Sequence, residues 1–264
     1  MLNSSLLGDV YPFLWENLGY WNSQVNVSYH NSCEEMVRQH FSLLKKKDKI
    51  RILDLACGKG GSIITLTSEL RIARLDAMDI QEAFLKIPKQ EFEIRKLGDL
   101  NFEFEKTISG NSSFPIHFYD SIVCIDSAYH FKNIPDFIKS CKLWLNSTGE
   151  LVFTTVSKNS DERIGYLDRF LFYFAGISTC SVLENREINQ ILTTNGFSNI
   201  KIQTINEQVL RGFANWVDTI RETQSIYNLF SFDWIKIKAT ALFCKRLLRQ
   251  KKFSYVLLYG QRGY

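Results

Sequence analysis

No apolar run in this 264-residue chain approaches the ~20 residues that a membrane span needs, so nothing in it reads as transmembrane. Its first residues lack a basic region followed by a continuous apolar core, and no secretory signal is visible. The six cysteines, at 33, 57, 124, 141, 180 and 244, are scattered, with no C-x-x-C and no paired histidine spacing. That argues against a zinc site or a disulfide framework, implies no metal, and fits a reducing, cytoplasmic setting. The net charge of +4 is too mild to argue for nucleic acid. Internal repeats and low-complexity tracts are also missing. What remains is an ordinary globular composition, 45% hydrophobic and 23% charged, with ample material for a core. The length suits one large α/β domain or one domain with a lid.

The informative stretch is Lys49–Ile64. Ile50, Ile52 and Leu53 form an apolar run of the kind that makes a strand buried on both faces. Asp54 follows, then a turn carrying Gly58, Gly60 and Gly61, then a helix-compatible continuation to Leu70. Strand, glycine turn and helix is the layout in which backbone N–H groups and a helix N-terminus meet a ligand. A Cβ in such a turn would block both its φ values and the ligand's close approach. The dinucleotide fingerprint fits poorly, because its third glycine place holds Ile63 and a carboxylate at Asp54 would repel a pyrophosphate. The same carboxylate suits a ligand carrying an ammonium group. A nucleotide-dependent oxidoreductase is therefore disfavoured.

The residues Asp54, Ala56, Cys57, Gly58 and Gly60 match D-x-G/A-C-G-x-G, and the stretch resembles motif I of the class I S-adenosylmethionine (SAM)-dependent methyltransferases. In that family the turn holds the methionine end of SAM. The resemblance implies a Rossmann-like α/β fold: a seven-stranded, mostly parallel sheet with the last strand antiparallel and helices on both faces. An N-terminal helical flap and a helical lid or insertion would complete it. The expected layout is a single methyltransferase domain over 1–264, with a flap at 1–48, a SAM-binding core at 49–157, and lid segments plus the last two strands at 158–264.

Two helical patterns precede the first strand, roughly Val10–Leu18 and His30–Leu44. Between them, Gly19-Tyr20-Trp21 resembles an element that some small-molecule methyltransferases use in a flap over SAM. Tyr20 and Trp21 are thus candidate cofactor contacts, and Tyr20 a candidate catalytic residue; aromatic packing at a helix end is the competing reading. Ala73–Asp79 reads as the second strand. Asp79 lies about twenty residues past the glycine turn, the separation at which an acid reaches ribose hydroxyls. It also suits the N-cap of a helix over Gln81–Ile87. Ile80 joins it as a candidate cofactor contact. Phe92–Leu97 is a third strand candidate, after which the resemblance assigns Asp99 and Leu100 to the adenine. No clear helix follows in Asn101–Phe118.

Phe118–Asp126 reads as the fourth strand, and its C-terminal loop should face the ligand crevice. Asp126 to Phe131 resembles the D-x-A-Y-H-F segment of one small-molecule methyltransferase branch. Asp126 is carried over as a cofactor contact. His130, a side chain whose pKa suits proton removal near neutrality, is a candidate base or substrate orienter, and Tyr129 a candidate pocket wall. Pro135–Leu145 reads as a helix, Asn146–Gly149 as a turn, and Glu150–Val156 as the fifth strand. Beyond it, Phe170–Ile177 is either a core helix or a lid. Glu184–Asn195 reads as a helix, Phe197–Ile205 as the sixth strand, Phe213–Phe230 as helical, and Phe253–Tyr259 as the seventh strand. Trp234–Lys252 holds seven basic residues and no acid, with Trp234, Ile237, Ala241, Cys244 and Leu248 at helical spacing. It is either a helix packed on the sheet with a solvated basic face, or a peripheral membrane contact.

Together these readings predict SAM-dependent methyl transfer to a small, hydrophobic acceptor at O, N or C. The Asn/Asp-Pro-Pro-aromatic element common in nucleic-acid methyltransferases is missing after the fourth strand. A catalytically silent SAM-binding protein acting through a partner or at a membrane surface is the alternative.

Overall fold

The computed structural model describes residues 2–22, 28–45, 48–81, 84, 86, 104–105, 114–159 and 163–263. Its centre is one sheet in the order β3-β2-β1-β4-β5-β7-β6. β1 (Asp48–Leu55), β2 (Arg71–Met78), β4 (Tyr119–Cys124) and β5 (Leu145–Lys158) run parallel to one another. β7 (Phe253–Arg262) lies antiparallel between β5 and β6 (Phe197–Thr204). These are six full strands. The seventh position, β3, is a two-residue pairing of Phe104–Glu105 with Ala77 and Met78. The third strand expected at Phe92–Leu97 falls outside the described residues; among the described residues the sheet has six full strands and this short pairing, where seven full strands were expected.

Each central strand is buried on both faces, and its residues alternate between two cores. On one side Ile50, Ile52, Val123 and Val152 pack under α1 (Tyr29–Ser42), α2 (Gly61–Glu69), α6 (Gly212–Arg221) and α8 (Phe232–Gln250). On the other, Leu53, Leu55, Ile122 and Leu151 pack under α3 (Ile134–Trp144) and α5 (Asn185–Thr194). Two shorter helices, α4 (Tyr166–Phe174) and α7 (Ile226–Leu229), bring the described helices to eight. Local chemistry fixes the ends. The Ser28, Asn133 and Ser231 side chains accept the third backbone N–H of α1, α3 and α8, and Glu184 with Glu187 forms a capping box on α5.

The structure changes three other expectations. Val10–Leu18 is not helical: the helical turn lies upstream at Ser4–Leu7, and the segment after it is irregular chain, with a turn at Tyr11-Pro12, tied down by Asp9 and Asp126. Asn146–Gly149 is the start of β5 rather than a turn, because α3 ends at Trp144 and Leu145 already pairs with Tyr119. The helical stretch expected over Phe213–Phe230 is broken into two helices, α6 and α7, and a π-helical turn at Glu207–Arg211 precedes them. The apolar side of α8 is core, as a helix packed on the sheet requires: Trp234, Ile237, Ala241 and Cys244 are buried. No helix among the described residues is long and apolar enough to cross a membrane.

Candidate active site

The chain leaves β1 toward β2 on one side and returns to β4 on the other, so a crevice opens beyond the C-terminal ends of β1 and β4. The structure carries a cleft of about 1600 Å³ there. Asp54, Ala56, Cys57, Gly58, Asp79, Ile80, Asp126, Tyr129 and His130 all line it. Gly60, the left-handed N-cap of α2, sits behind that lining. Tyr20 and Trp21 lie elsewhere: both line a separate, shallower hollow with Trp216 and Arg211. The Trp21 ring packs against Trp216, 5.2 Å between centroids. Asp99 and Leu100 lie outside the described residues.

The floor of the cleft is the turn after β1. Ala56, Gly58 and Gly60 all take left-handed backbone, with φ of 59°, 56° and 86°. A Cβ on Gly58 would point into open space, nearest Glu16 at 3.9 Å, so this face of the turn is free for a ligand. Asp54 is buried beneath it and accepts the Ser62 hydroxyl at 2.5 Å on one oxygen. Its other oxygen, Oδ1, is buried and has no hydrogen-bond partner among the described residues. Burial pushes the Asp54 pKa up to about 7. Because Asp54 pairs in register with Ala77, Asp79 emerges two residues further along the adjacent strand end. Asp79 accepts the Gly58 N–H and the Gln81 N–H, each at 2.9 Å, and so braces the glycine turn while starting the next segment.

The far wall comes from the loop after β4. Asp126, also left-handed, is buried; its carboxylate accepts the Leu18 N–H at 2.6 Å, the Tyr129 hydroxyl at 2.6 Å and the Tyr255 hydroxyl. Burial raises the Asp126 pKa, and the two tyrosine hydroxyls oppose that. With three donors satisfied, this carboxylate latches the N-terminal segment to the sheet edge. Tyr129 is buried beside it. His130 is exposed to the cleft and its Nδ1 lies 2.7 Å from the Gly176 carbonyl. A carbonyl oxygen only accepts, so Nδ1 carries the proton and Nε2 is left with its lone pair.

Sequence reasoning missed the roof. Leu14, Trp15, Glu16 and Asn17 line the cleft, a few residues upstream of the aromatic pair expected there. Trp15 covers the start of α2 so closely that a Cβ on Gly61 would fall 2.6 Å from its ring. Glu16 pairs with Lys59 at 3.3 Å, and burial lifts its pKa against that pairing. The signal available was the run of large residues just before Gly19, whose left-handed φ of 73° turns Tyr20 and Trp21 away.

This arrangement can hold a cationic, polar ligand end over Asp54, a vicinal diol at Asp79, and an apolar molecule beside His130. A family model described as a methyltransferase domain matches residues 30–202, which span β1 to β6 and include this whole floor. The chain belongs to this methyltransferase family. No curated protein matches the sequence. Solved structures share the fold at low identity. A geranyl diphosphate C-methyltransferase from Streptomyces coelicolor A3(2) superposes with a TM-score of 0.76 at 16% identity, over 98% of this chain and 92% of that one. A cyclopropane synthase from Mycobacterium tuberculosis gives 0.76 at 14%, over 98% and 93%. A [4+2]-cyclase gives 0.75 at 14%, over 98% and 90%. The methyltransferase fold thus also carries other chemistry, so the reaction has to be argued from the site.

Proposed function

We propose that this methyltransferase binds SAM over the β1 turn and moves its methyl group to a small, apolar acceptor at O, N or C, in the cytoplasm. One observation carries the reading: a buried carboxylate, Asp54, keeps an unpartnered oxygen directly under a glycine turn that is open to the cleft. A buried acceptor without a donor is costly unless a ligand supplies one, and the ammonium group of SAM is such a donor. Asp79, at the neighbouring strand end, has the position for the ribose hydroxyls, with Ile80, Ala56 and Cys57 as walls. Solved relatives of this fold are named as complexes with SAM, S-adenosylhomocysteine or sinefungin, which supports the same donor here.

When bound, SAM supplies an electrophilic methyl group. The residues do the rest. Asp54, Gly58 and Asp79 fix the donor's orientation, while Trp15 and Leu14 cover it and exclude water. His130 Nε2 accepts the proton that an oxygen or nitrogen acceptor must lose, and the Gly176 carbonyl holds the imidazole in the tautomer that can do so. Leu14, Ile125, Phe131 and Phe174 give the acceptor side its apolar lining. This chemistry suits a small-molecule partner rather than nucleic acid.

Asp79→Ala should weaken SAM binding by about 1.5–3 kcal/mol, the scale for hydrogen bonds to a charged group. Isothermal titration measures it, with thermal unfolding alongside because the Gly58 N–H loses its acceptor. Unchanged affinity would overturn the cofactor assignment. Full-strength binding with no transfer to any member of an extracted metabolite pool would instead favour a silent SAM-binding protein.

A further inference from the structure

Helix α4 presents its apolar face outward. Tyr166, Leu167, Phe170, Tyr173 and Phe174 recur at the spacing of one helical stripe, and Tyr166 is 94% exposed, Tyr173 78% and Phe174 70%. The opposite side is the anchored one. Phe172 is fully buried against Phe243 and Phe253, and Asp168 accepts two bonds from the Arg246 guanidinium, at 2.8 and 3.0 Å. Large aromatic side chains carry roughly 150–250 Å² each, so the stripe exposes on the order of 600 Å², at the upper limit for a soluble monomer.

The surroundings of the stripe are cationic. Residues 163–176 and 243–252, which meet through the Asp168–Arg246 pair, contain seven Lys and Arg residues; Arg246 is paired with Asp168 and Lys245 with Asp218, which leaves five outside these two pairs, and the acids at 161 and 162 precede them. Arg163, Arg169, Arg249 and Lys251 are exposed. The stripe also ends at the active site: Phe174, Ala175 and Gly176 line the cleft, and the Gly176 carbonyl accepts from His130.

We infer that α4 is a docking element for an anionic lipid bilayer, its aromatic stripe entering the interface and the flanking cations facing lipid headgroups. A lipid surface accounts for all three features together. Tyrosine and phenylalanine rings suit the headgroup boundary, cations beside them favour anionic lipid, and a cleft mouth at that boundary receives apolar acceptors directly. This surface is distinct from the apolar side of α8, which is consumed by the core. It also does not depend on the identity of the cofactor.

The test uses the full chain, sedimented with phosphatidylcholine vesicles with and without phosphatidylserine, at low and high salt. Wild type should bind the phosphatidylserine vesicles at low salt and release them at high salt. Phe170→Glu/Tyr173→Glu, two exposed positions outside the cleft lining, should lower binding by on the order of tenfold or more with an unchanged melting temperature. Arg169→Glu/Arg249→Glu should remove the salt-sensitive part. No retention of wild type, or equal retention of the aromatic variant, overturns the proposal. So does self-association that the aromatic variant abolishes while vesicles bind neither form, which would assign the stripe to a second copy of the chain. SAM titration of the same samples separates the two readings. A chain that binds vesicles but not SAM keeps the lipid face and loses the proposed methyl transfer.

Discussion

His130 shows how much one hydrogen bond decides. If its Nδ1 faced solvent, either ring nitrogen could carry the proton and the side chain would be an ambiguous base. The Gly176 carbonyl at 2.7 Å removes the ambiguity and leaves Nε2 as the acceptor. For an oxygen or nitrogen acceptor, a positioned base typically contributes ~10²–10⁴-fold, so His130→Ala should reduce turnover by that range with SAM affinity nearly unchanged. His130→Gln keeps size and a hydrogen bond but no basicity near pH 7. A Gln variant as slow as Ala supports a base; one near wild type leaves only an orienting role, and full activity in Ala removes His130 from the chemistry. Asp54, Gly58, Asp79 and His130 were legible in the sequence because each lies at or just past a strand end, where local pattern alone places it at the crevice. Glu16 and Trp15 were not. Their place depends on the backbone reversal at Gly19 and on a latch to Asp126, more than one hundred residues away, and neither leaves a local pattern.

Among the elements, the N-terminal segment has the tightest tolerance. It has no helix or strand between Asp9 and Trp21, so long-range contacts place it: Leu18 N–H on Asp126, and the Trp15 ring against the start of α2. Gly61 exists to admit that ring, since a Cβ there would sit 2.6 Å from Trp15. Gly61→Ala should therefore destabilise the fold by about 1–3 kcal/mol and weaken SAM binding as the roof lifts. Combining it with Trp15→Ala should recover part of the loss, because the obstruction is gone; strictly additive losses in thermal melts would show that Trp15 is not what fills the space. Helices α4 and α8 illustrate a different limit. Helical spacing showed an apolar face on α8, and the apolar run Phe170–Ile177 read as a core helix or a lid, but neither pattern says which side meets the core. In α8 the apolar face is buried, whereas in α4 a single phenylalanine and an ion pair do the anchoring and the aromatic stripe is left outside.

At the scale of the whole molecule, the parallel strands deliver their C-terminal carboxylates to one dry edge, and this makes stability depend on pH in an unusual direction. An unfolded aspartate titrates near 4, and burial lifts Asp54 to about 7. Between those values the folded chain holds a proton that the unfolded chain does not. Stability from this group is therefore complete below about pH 4 and is lost as pH rises to about 7. His40 works the other way. It is fully buried, donates Nδ1–H to the Met36 carbonyl, and burial pulls its pKa down to about 4. Its contribution is present above about pH 6.5 and is lost as pH falls toward 4. In the ligand-free wild type the Asp54 and His40 slopes oppose each other across that window, while Asp126 and Glu16, also raised by burial, slope the same way as Asp54. Asp54→Asn should remove the Asp54 slope, so that the variant gains stability relative to the wild type as pH rises from 4. The difference between the two proteins should fall by a few kcal/mol in favour of the variant as pH rises to 7, then flatten. Saturating SAM should shift the wild-type slope alone toward stability that rises with pH, because an ammonium over Asp54 favours its ionised form and binding then releases a proton. Denaturant titrations of both proteins across this pH range, with and without SAM, measure all of these slopes. Parallel curves for wild type and variant would mean that Asp54 titrates alike in the folded and unfolded chains, so that its second oxygen is solvated and not left for a ligand's ammonium.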